Sequence, residues 1–249
     1  GCWNVRTLLE KEKTAQLATE MKNYKIDILG VSETRWKGID KIKLHTGEIM
    51  LSSWQKEEES THHSKGVALM LSREAQKALI EWETIGPRII TATFRTNKKK
   101  INLKVIQCYA PTNDREQVAK ERFYTKVQSI MDRKRKKDII ILMGDLNAKI
   151  GDDNSSFEET MGNHGLGRMN ENGEMFANFC ASNQLIIGGS IFQHKRVHKA
   201  TWISPDHITA NQIDHICIDK KFRTSLQDVK VCRGADVASD HHLLLSKIR

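Results

Sequence analysis

Long apolar stretches are missing from this 249-residue chain. No run approaches the ~20 residues that a membrane helix needs, so no membrane partner is expected. Proline is scarce, with three residues, and the 15 glycines follow no period, which excludes collagen-like and low-complexity classes. The five cysteines are odd in number, scattered, and form no C-x-x-C pair, so neither a disulfide framework nor a zinc site is indicated. Cys108, Cys180 and Cys217 sit inside apolar stretches and read as small buried hydrophobes in a reducing compartment. Also absent are a G-x-S-x-G elbow, a Walker A loop and an H-E-x-x-H helix. The one marked deficit of charge is acidic: 31 Asp+Glu stand against 40 Lys+Arg, a formal +9. That balance points to a polyanionic partner, nucleic acid ahead of an anionic membrane surface. The chain opens on Gly1-Cys2-Trp3-Asn4-Val5-Arg6 rather than Met, with no signal-peptide core, and is expected to be a piece slightly truncated at its N-terminus.

What is present is a series of apolar runs separated by amphipathic segments. Helices are expected from Glu10 to Tyr24, from Glu116 to Lys137 and from Glu174 to Asn183. In the second, Val118, Phe123, Val127, Ile130 and Met131 form the inner stripe. Strands are expected at Lys25 to Val31, Gly66 to Leu71, Arg88 to Thr96, Ile101 to Tyr109 and Asp138 to Met143. Five more follow at Leu185 to Ile187, Ala200 to Ser204, Gln212 to Asp219, Leu226 to Arg233 and His242 to Ile248. Nothing marks a linker or an internal repeat, so residues 1–249 read as one domain of α/β layers.

The informative residues are polar ones at the ends of apolar runs. Glu33 ends ILGVS, Asp145 and Asn147 follow DIIILMG, Asp214 interrupts QIDHICI, and Asp240-His241 precedes HLLLSKI. Any one of these alone is an ordinary turn residue. Several strands each delivering an acid, an amide or an imidazole is how α/β folds build a site. Asp145 and Asn147 are two apart, so a continuing strand would put both side chains on one face. Carboxylates are hard ligands, suited to Mg²⁺ or Mn²⁺. With an imidazole and amides beside them, they fit hydrolysis of a phosphate ester.

At these residues the sequence resembles the endonuclease/exonuclease/phosphatase superfamily, the Mg²⁺-dependent phosphodiesterase fold of apurinic endonucleases and DNase I. The matches run in order over nearly the whole chain: Trp3-Asn4-Val5, Val31-Ser32-Glu33-Thr34, Tyr109-Ala110-Pro111, Gly144-Asp145-Leu146-Asn147, Thr201-Trp202, Gln212-Ile213-Asp214-His215 and Ser239-Asp240-His241. ILGVSETRW, YAPT, MGDLNAKIG and NENGE look like the endonuclease domain of RTE-type long interspersed retrotransposons, which craniofacial development protein 2-like host proteins also carry. The resemblance implies a four-layer α/β sandwich of two packed β-sheets flanked by helices, with the site at one end of the sheets. It implies a DNA endonuclease that nicks one strand and leaves a 3′-hydroxyl and a 5′-phosphate, acting in the nucleus beside a polymerase domain or host factors. The alternatives are an abasic-site endonuclease, a phosphatase for a smaller ester, and a domesticated non-catalytic DNA- or chromatin-binding protein.

Carried over residue by residue, Glu33, Asn4 and Asp240 would hold the cation, Mg²⁺ or Mn²⁺. Asp145 would align the attacking water, Asn147 and Tyr109 would contact the scissile phosphate, and Asp214 would orient His241. Arg6 stands where apurinic endonucleases often have an acid, which leans against a repair enzyme. His215 and His242 read as structural. Of the five tryptophans, Trp3 and Trp202 are assigned to core packing, while Trp36, with Arg35 and Lys37, is placed toward DNA. Lys195, Arg196 and Lys199 are expected to contact phosphates. The basic runs Lys98 to Lys100 and Arg133 to Lys137 read as a hairpin turn and a helix end. Asn170 and Asn172 either reach the site or cap the following helix.

Overall fold

The computed structural model describes residues 1–36, 41–53 and 65–249, so Lys37 and Trp54 lie outside the described residues. The elements in chain order are β1 (Cys2–Asn4), α1 (Lys11–Asn23), β2 (Ile28–Ser32), β3 (Lys41–Lys43), β4 (Ile49–Ser52) and β5 (Val67–Leu71). Then come α2 (Arg73–Ala78), β6 (Leu79–Thr84), β7 (Ile89–Arg95), β8 (Asn102–Tyr109), α3 (Gln117–Asp132), β9 (Ile139–Asp145) and α4 (Glu171–Ser182). The last are β10 (Leu185–Ile187), β11 (Trp202–Ile203), β12 (Ala210–Asn211), β13 (Asp214–Asp219), β14 (Leu226–Cys232) and β15 (Leu243–Ile248). One sheet has the order β14-β15-β1-β2-β5-β4-β3, a second β10-β13-β9-β8-β7-β6, and β11 with β12 forms a separate hairpin. Both large sheets are mixed: β1 with β2 and β8 with β9 are parallel, and the other pairs antiparallel.

Three apolar cores make four layers. Leu51, Leu69, Ile90, Val105, Ile141 and Met143 pack between the sheets. Leu17, Ala18 and Met21 of α1 cover Trp3, Leu29 and Val31 on one outer face. Phe123, Val127 and Phe176 of α3 and α4 cover Ile106, Ile140 and Leu142 on the other. Strands covered on both faces need apolar residues at every position, which is why VALML and IIILM run unbroken. Gly30 marks where the sheets approach closely: a Cβ there would lie 1.8 Å from Gln107 Oε1.

Several boundaries move from the sequence-based expectation. The second helix stops at Asp132, because continuing it through Arg133-Lys134-Arg135-Lys136-Lys137 would stack like charges on adjacent turns. Val118 is exposed, and Lys120 takes the inner position instead. The third helix starts three residues early, at Glu171, with Asn170 as its N-cap. Ala200 to Ser204 shrinks to the two residues of β11, and β13 begins only at Asp214. β3, β4, α2 and the edge strand β6 have no counterpart in the sequence reading. They are short, and β6 (LIEWET) has no fully buried residue.

Parallel β1 and β2 end together, as do β8 and β9, and antiparallel β13 starts where β9 ends. One end of the sandwich therefore collects Asn4, Glu33, Tyr109, Asp145 and Asp214.

Candidate active site

Register creates the centre of the site. Asp145 closes β9, Tyr109 lies beside it on β8, and Asp214 lies directly opposite it on β13. Asp145 and Asp214 are 2% and 1% exposed. Facing like charges on neighbouring strands oppose the pairing. His241 answers that repulsion: its Nδ1 lies 2.9 Å from Asp214 Oδ2 and its Nε2 3.9 Å from Asp145 Oδ2. Burial alone would lower the imidazole pKa, but the charge of Asp214, its hydrogen bond and the charge of Asp145 outweigh it and raise the value to about 9. Burial, and then the Asp214 charge, pushes the Asp145 carboxyl up to about 7 against the opposing pull of His241.

Three strand ends turn away through left-handed residues. Arg6 (φ 60°) follows β1, Glu33 (φ 59°) follows β2, and Asn147 (φ 50°) follows β9. Left-handed non-glycine backbone costs free energy and here aims side chains into one cleft. Asp145 and Asn147 do not meet by strand alternation, since the strand ends at Asp145. Their link is the Asn147 N–H donating to Asp145 Oδ1 at 3.0 Å, while Asn147 Nδ2 donates to the Ala110 carbonyl.

Asn4 sits between the acids. Its Nδ2 donates to Glu33 Oε1 at 2.9 Å and to Asp145 Oδ2 at 2.8 Å. Its side-chain Oδ1 accepts from the Arg6 N–H at 2.9 Å, so Asn4 faces the acids as a donor, contrary to the expected oxygen ligand. Tyr109 OH donates to Glu33 Oε1 at 3.0 Å. Burial and the Glu33 charge raise the phenol pKa, which keeps it a donor. Asp240 Oδ2 accepts from the Trp202 indole at 3.1 Å, and Oδ1 faces Arg6 Nε at 3.7 Å. These groups line a cleft of about 360 Å³, with Asn113, Lys149, Asn170, Asn211 and Ile213.

The chemistry of this set fits a hard divalent cation. Asp145, Asp214 and His241 offer ligand atoms within 4.8 Å of one another. Asp214 Oδ1 and Asp240 Oδ1 are buried oxygens without hydrogen-bond partners among the described residues. The carboxylate oxygens suit a hard divalent ion, whereas the His241 ring is taken by Asp214.

Several residues stand elsewhere than the sequence suggested. Trp202 is half-buried and lines the cleft rather than the core. Its backbone bridges to His241, and the neighbouring Thr201 hydroxyl accepts from the Asp214 N–H. Trp36 donates to the Leu8 carbonyl at 2.6 Å and packs on the α1 side, lining a separate groove, so its indole is taken by the fold. Arg35 pairs with Glu33 at 3.4 Å. Lys195, Arg196 and Lys199 lie on or beside a 3-10 turn against β14, outside the cleft lining, with Lys195 and Arg196 exposed. His215 is fully buried, with Nε2 2.7 Å from the Ala148 carbonyl. Asn172 braces the site from below: its Nδ2 donates to the Pro111 and Asn147 carbonyls. Arg88 was not foreseen. It donates to the Tyr109 and Ala110 carbonyls and covers the Tyr109 ring at 4.8 Å, and nothing around it in sequence signals that role.

Comparison with known proteins agrees with this geometry. Residues 1–241 match the model of the Endonuclease/Exonuclease/phosphatase family. Craniofacial development protein 2 of Tragulus javanicus is 35% identical over 249 residues, which is 100% of this chain and 42% of that protein. The chain thus spans about two fifths of that relative's length. Among solved structures, the endonuclease domain of TRAS1, a telomere-specific non-LTR retrotransposon, superposes with a TM-score of 0.67 at 17% identity, covering 100% of this chain and 96% of that one. The 3′-5′ exonuclease NExo from Neisseria meningitidis gives 0.70 at 19% identity, over 99% and 98% of the two chains. The two packed sheets, the strand-end carboxylates with their imidazole and a match running almost from end to end lead to one conclusion: this chain belongs to the endonuclease/exonuclease/phosphatase family.

Proposed function

We propose that the chain is a Mg²⁺-dependent DNA endonuclease that nicks one strand and leaves a 3′-hydroxyl and a 5′-phosphate. The observation that carries this reading is the buried Asp145–His241–Asp214 array opening on the cleft that also holds Glu33 and Asp240. Glu33 and Asp240 are the residues that would hold the cation, which supplies charge neutralisation at the phosphate when bound. With its pKa near 7, Asp145 is poised to orient water and accept its proton. His241, with its pKa near 9, is a cation at neutral pH and stabilises charge building on the phosphorane. Asp214 holds the ring in place. Tyr109 and Asn147 line the cleft: Asn147 Nδ2 keeps a second hydrogen for the phosphate, while the Tyr109 hydroxyl gives its hydrogen to Glu33 and holds that carboxylate in place. Arg6 sets this cleft apart from those with an acid there and favours intact duplex over an abasic site.

A supercoiled-plasmid nicking assay with Mg²⁺ tests the proposal. Glu33→Ala and His241→Ala should each lose roughly 10²–10⁴-fold. Polymerase extension of the nicked product checks the 3′-hydroxyl. Equal nicking by all three proteins refutes the assignment, and an abasic duplex cut far faster than intact DNA transfers it to repair.

A further inference from the structure

The basic runs are not used up by the fold. Past the C-cap Arg133, Lys134 to Lys137 lie beyond α3, so they are not part of its last turn. Arg133 alone caps the helix, donating to the Ser129 carbonyl at 3.1 Å. Three separate sequence segments meet at this end of the second sheet. Lys98 to Lys100 turn between β7 and β8, Arg133 to Lys137 lead into β9, and Lys220-Lys221 leave β13. Leu103 pairs with Ile139 and Ile141 with Ile218, which sets the three side by side. Direct contacts join them: Lys221 Nζ reaches the Lys136 carbonyl at 3.5 Å, and Asp138 accepts from the Asn102 N–H.

The nearby acids do not neutralise this pole. Asp138 and Asp219 are buried and committed, to Asn102 with Arg135 and to Lys221 N–H with Lys134. Lys220 pairs with Glu159 and Arg133 with Glu83. Lys98, Lys99, Lys100, Lys136, Lys137 and Lys221 are exposed and have no acidic partner among the described residues. They span the ends of β13, β9, β8 and β7, about 15 Å at ~4.8 Å per strand, which matches the rise of four to five base pairs. Among the described residues, none of the six exposed large apolar side chains falls in these segments, so a membrane-inserting face is not what they make.

The seven residues of β9 separate this pole from Asp145, about 20 Å at ~3.3 Å per residue. A duplex lying across the catalytic end cannot also reach it without sharp bending, given a persistence length of about 150 base pairs. We propose that the pole is a second nucleic-acid-binding surface, which grips a separate sugar-phosphate backbone while the cleft holds its own.

Binding measured in EDTA keeps this test apart from catalysis. A 12-base-pair duplex is titrated into the chain, and stoichiometry is read by native mass spectrometry at low salt and by anisotropy against salt. The variant combines Lys98→Gln, Lys99→Gln, Lys100→Gln, Lys136→Gln, Lys137→Gln and Lys221→Gln, all surface changes, with circular dichroism to confirm folding. The parent should bind two duplexes and the variant one. The lost event should carry a salt slope of about −4 to −5. Mg²⁺-dependent nicking of a short duplex should stay within about twofold. One duplex per parent chain, two in the variant, or capture of phosphatidylserine vesicles in place of duplex would each overturn the proposal. Nicking absent from both proteins, with binding as expected, would count against the catalytic reading alone.

Discussion

At Asp145 the requirements of chemistry oppose those of stability. The fold raises its pKa from 3.8 to about 7, so the folded state favours the protonated acid. That contribution to stability is present below pH 4 and lost as pH rises from about 4 to 7. Asp145→Asn escapes the loss. Its stability advantage should grow over that window to about 2–4 kcal/mol in urea melts, while nicking disappears. An advantage independent of pH would contradict the burial argument. His241 works in the opposite direction: its raised pKa stabilises the fold below about 6.5, and the effect fades as pH climbs through about 9. The nicking rate should therefore trace a bell, rising near pH 7 and falling near pH 9, and a flat profile between pH 5 and 10 would count against these roles. Glu33, Asp145, Asn147, Asp214, Asp240 and His241 of the candidate site were legible in sequence as polar interruptions of apolar runs, whereas Tyr109 was reached only through the family resemblance. Asn4 was legible as a position but not in orientation, since the Arg6 N–H and the distant Glu33 and Asp145 carboxylates together fix which way its amide points. Arg88 acts through backbone carbonyls, and such contacts leave no side-chain pattern to read.

Elements were legible where they are long or buried on both faces. β5 and β9 carry unbroken apolar runs, and α3 and α4 carry inner stripes. The ends of elements were harder, because tertiary contacts set them. α4 begins at Glu171 because Asn170 accepts from both the Gly173 N–H at 2.8 Å and the Lys149 N–H at 3.0 Å, capping the helix and pinning the loop after β9. Asn170→Ala should cost about 1–2 kcal/mol, a loss of roughly 2–8 °C in Tm by calorimetry, with Asp restoring most of it. Asn172→Ala removes the donor to two buried carbonyls and should cost about 1–3 kcal/mol. Because those carbonyls belong to Pro111 and Asn147, its nicking rate should also fall, whereas a change confined to stability would place Asn172 outside the site's support. Of the β11–β12 hairpin only β11 was anticipated, and β12 escaped notice for another reason. Only two residues of each strand pair, and its tip carries Ile208 in solvent at 81% exposure.

For the whole molecule, fold class followed from alternating helical and apolar segments, whereas the placement of charge did not. A net +9 says nothing about where cations gather. Only strand register reveals that the basic runs and the acidic cleft occupy opposite ends of the sheets. Asn4 and His241 lie 237 positions apart in sequence, at opposite limits of the chain, yet Trp3 donates to the His241 carbonyl at 2.9 Å and β1 pairs with β15. The stretch from β1 to β15 must therefore be synthesised in full before these two strands can pair and complete the first sheet. On the proposed reading, a chain cut short of His241 should not nick DNA, and separately expressed halves should regain nicking only on reassociating.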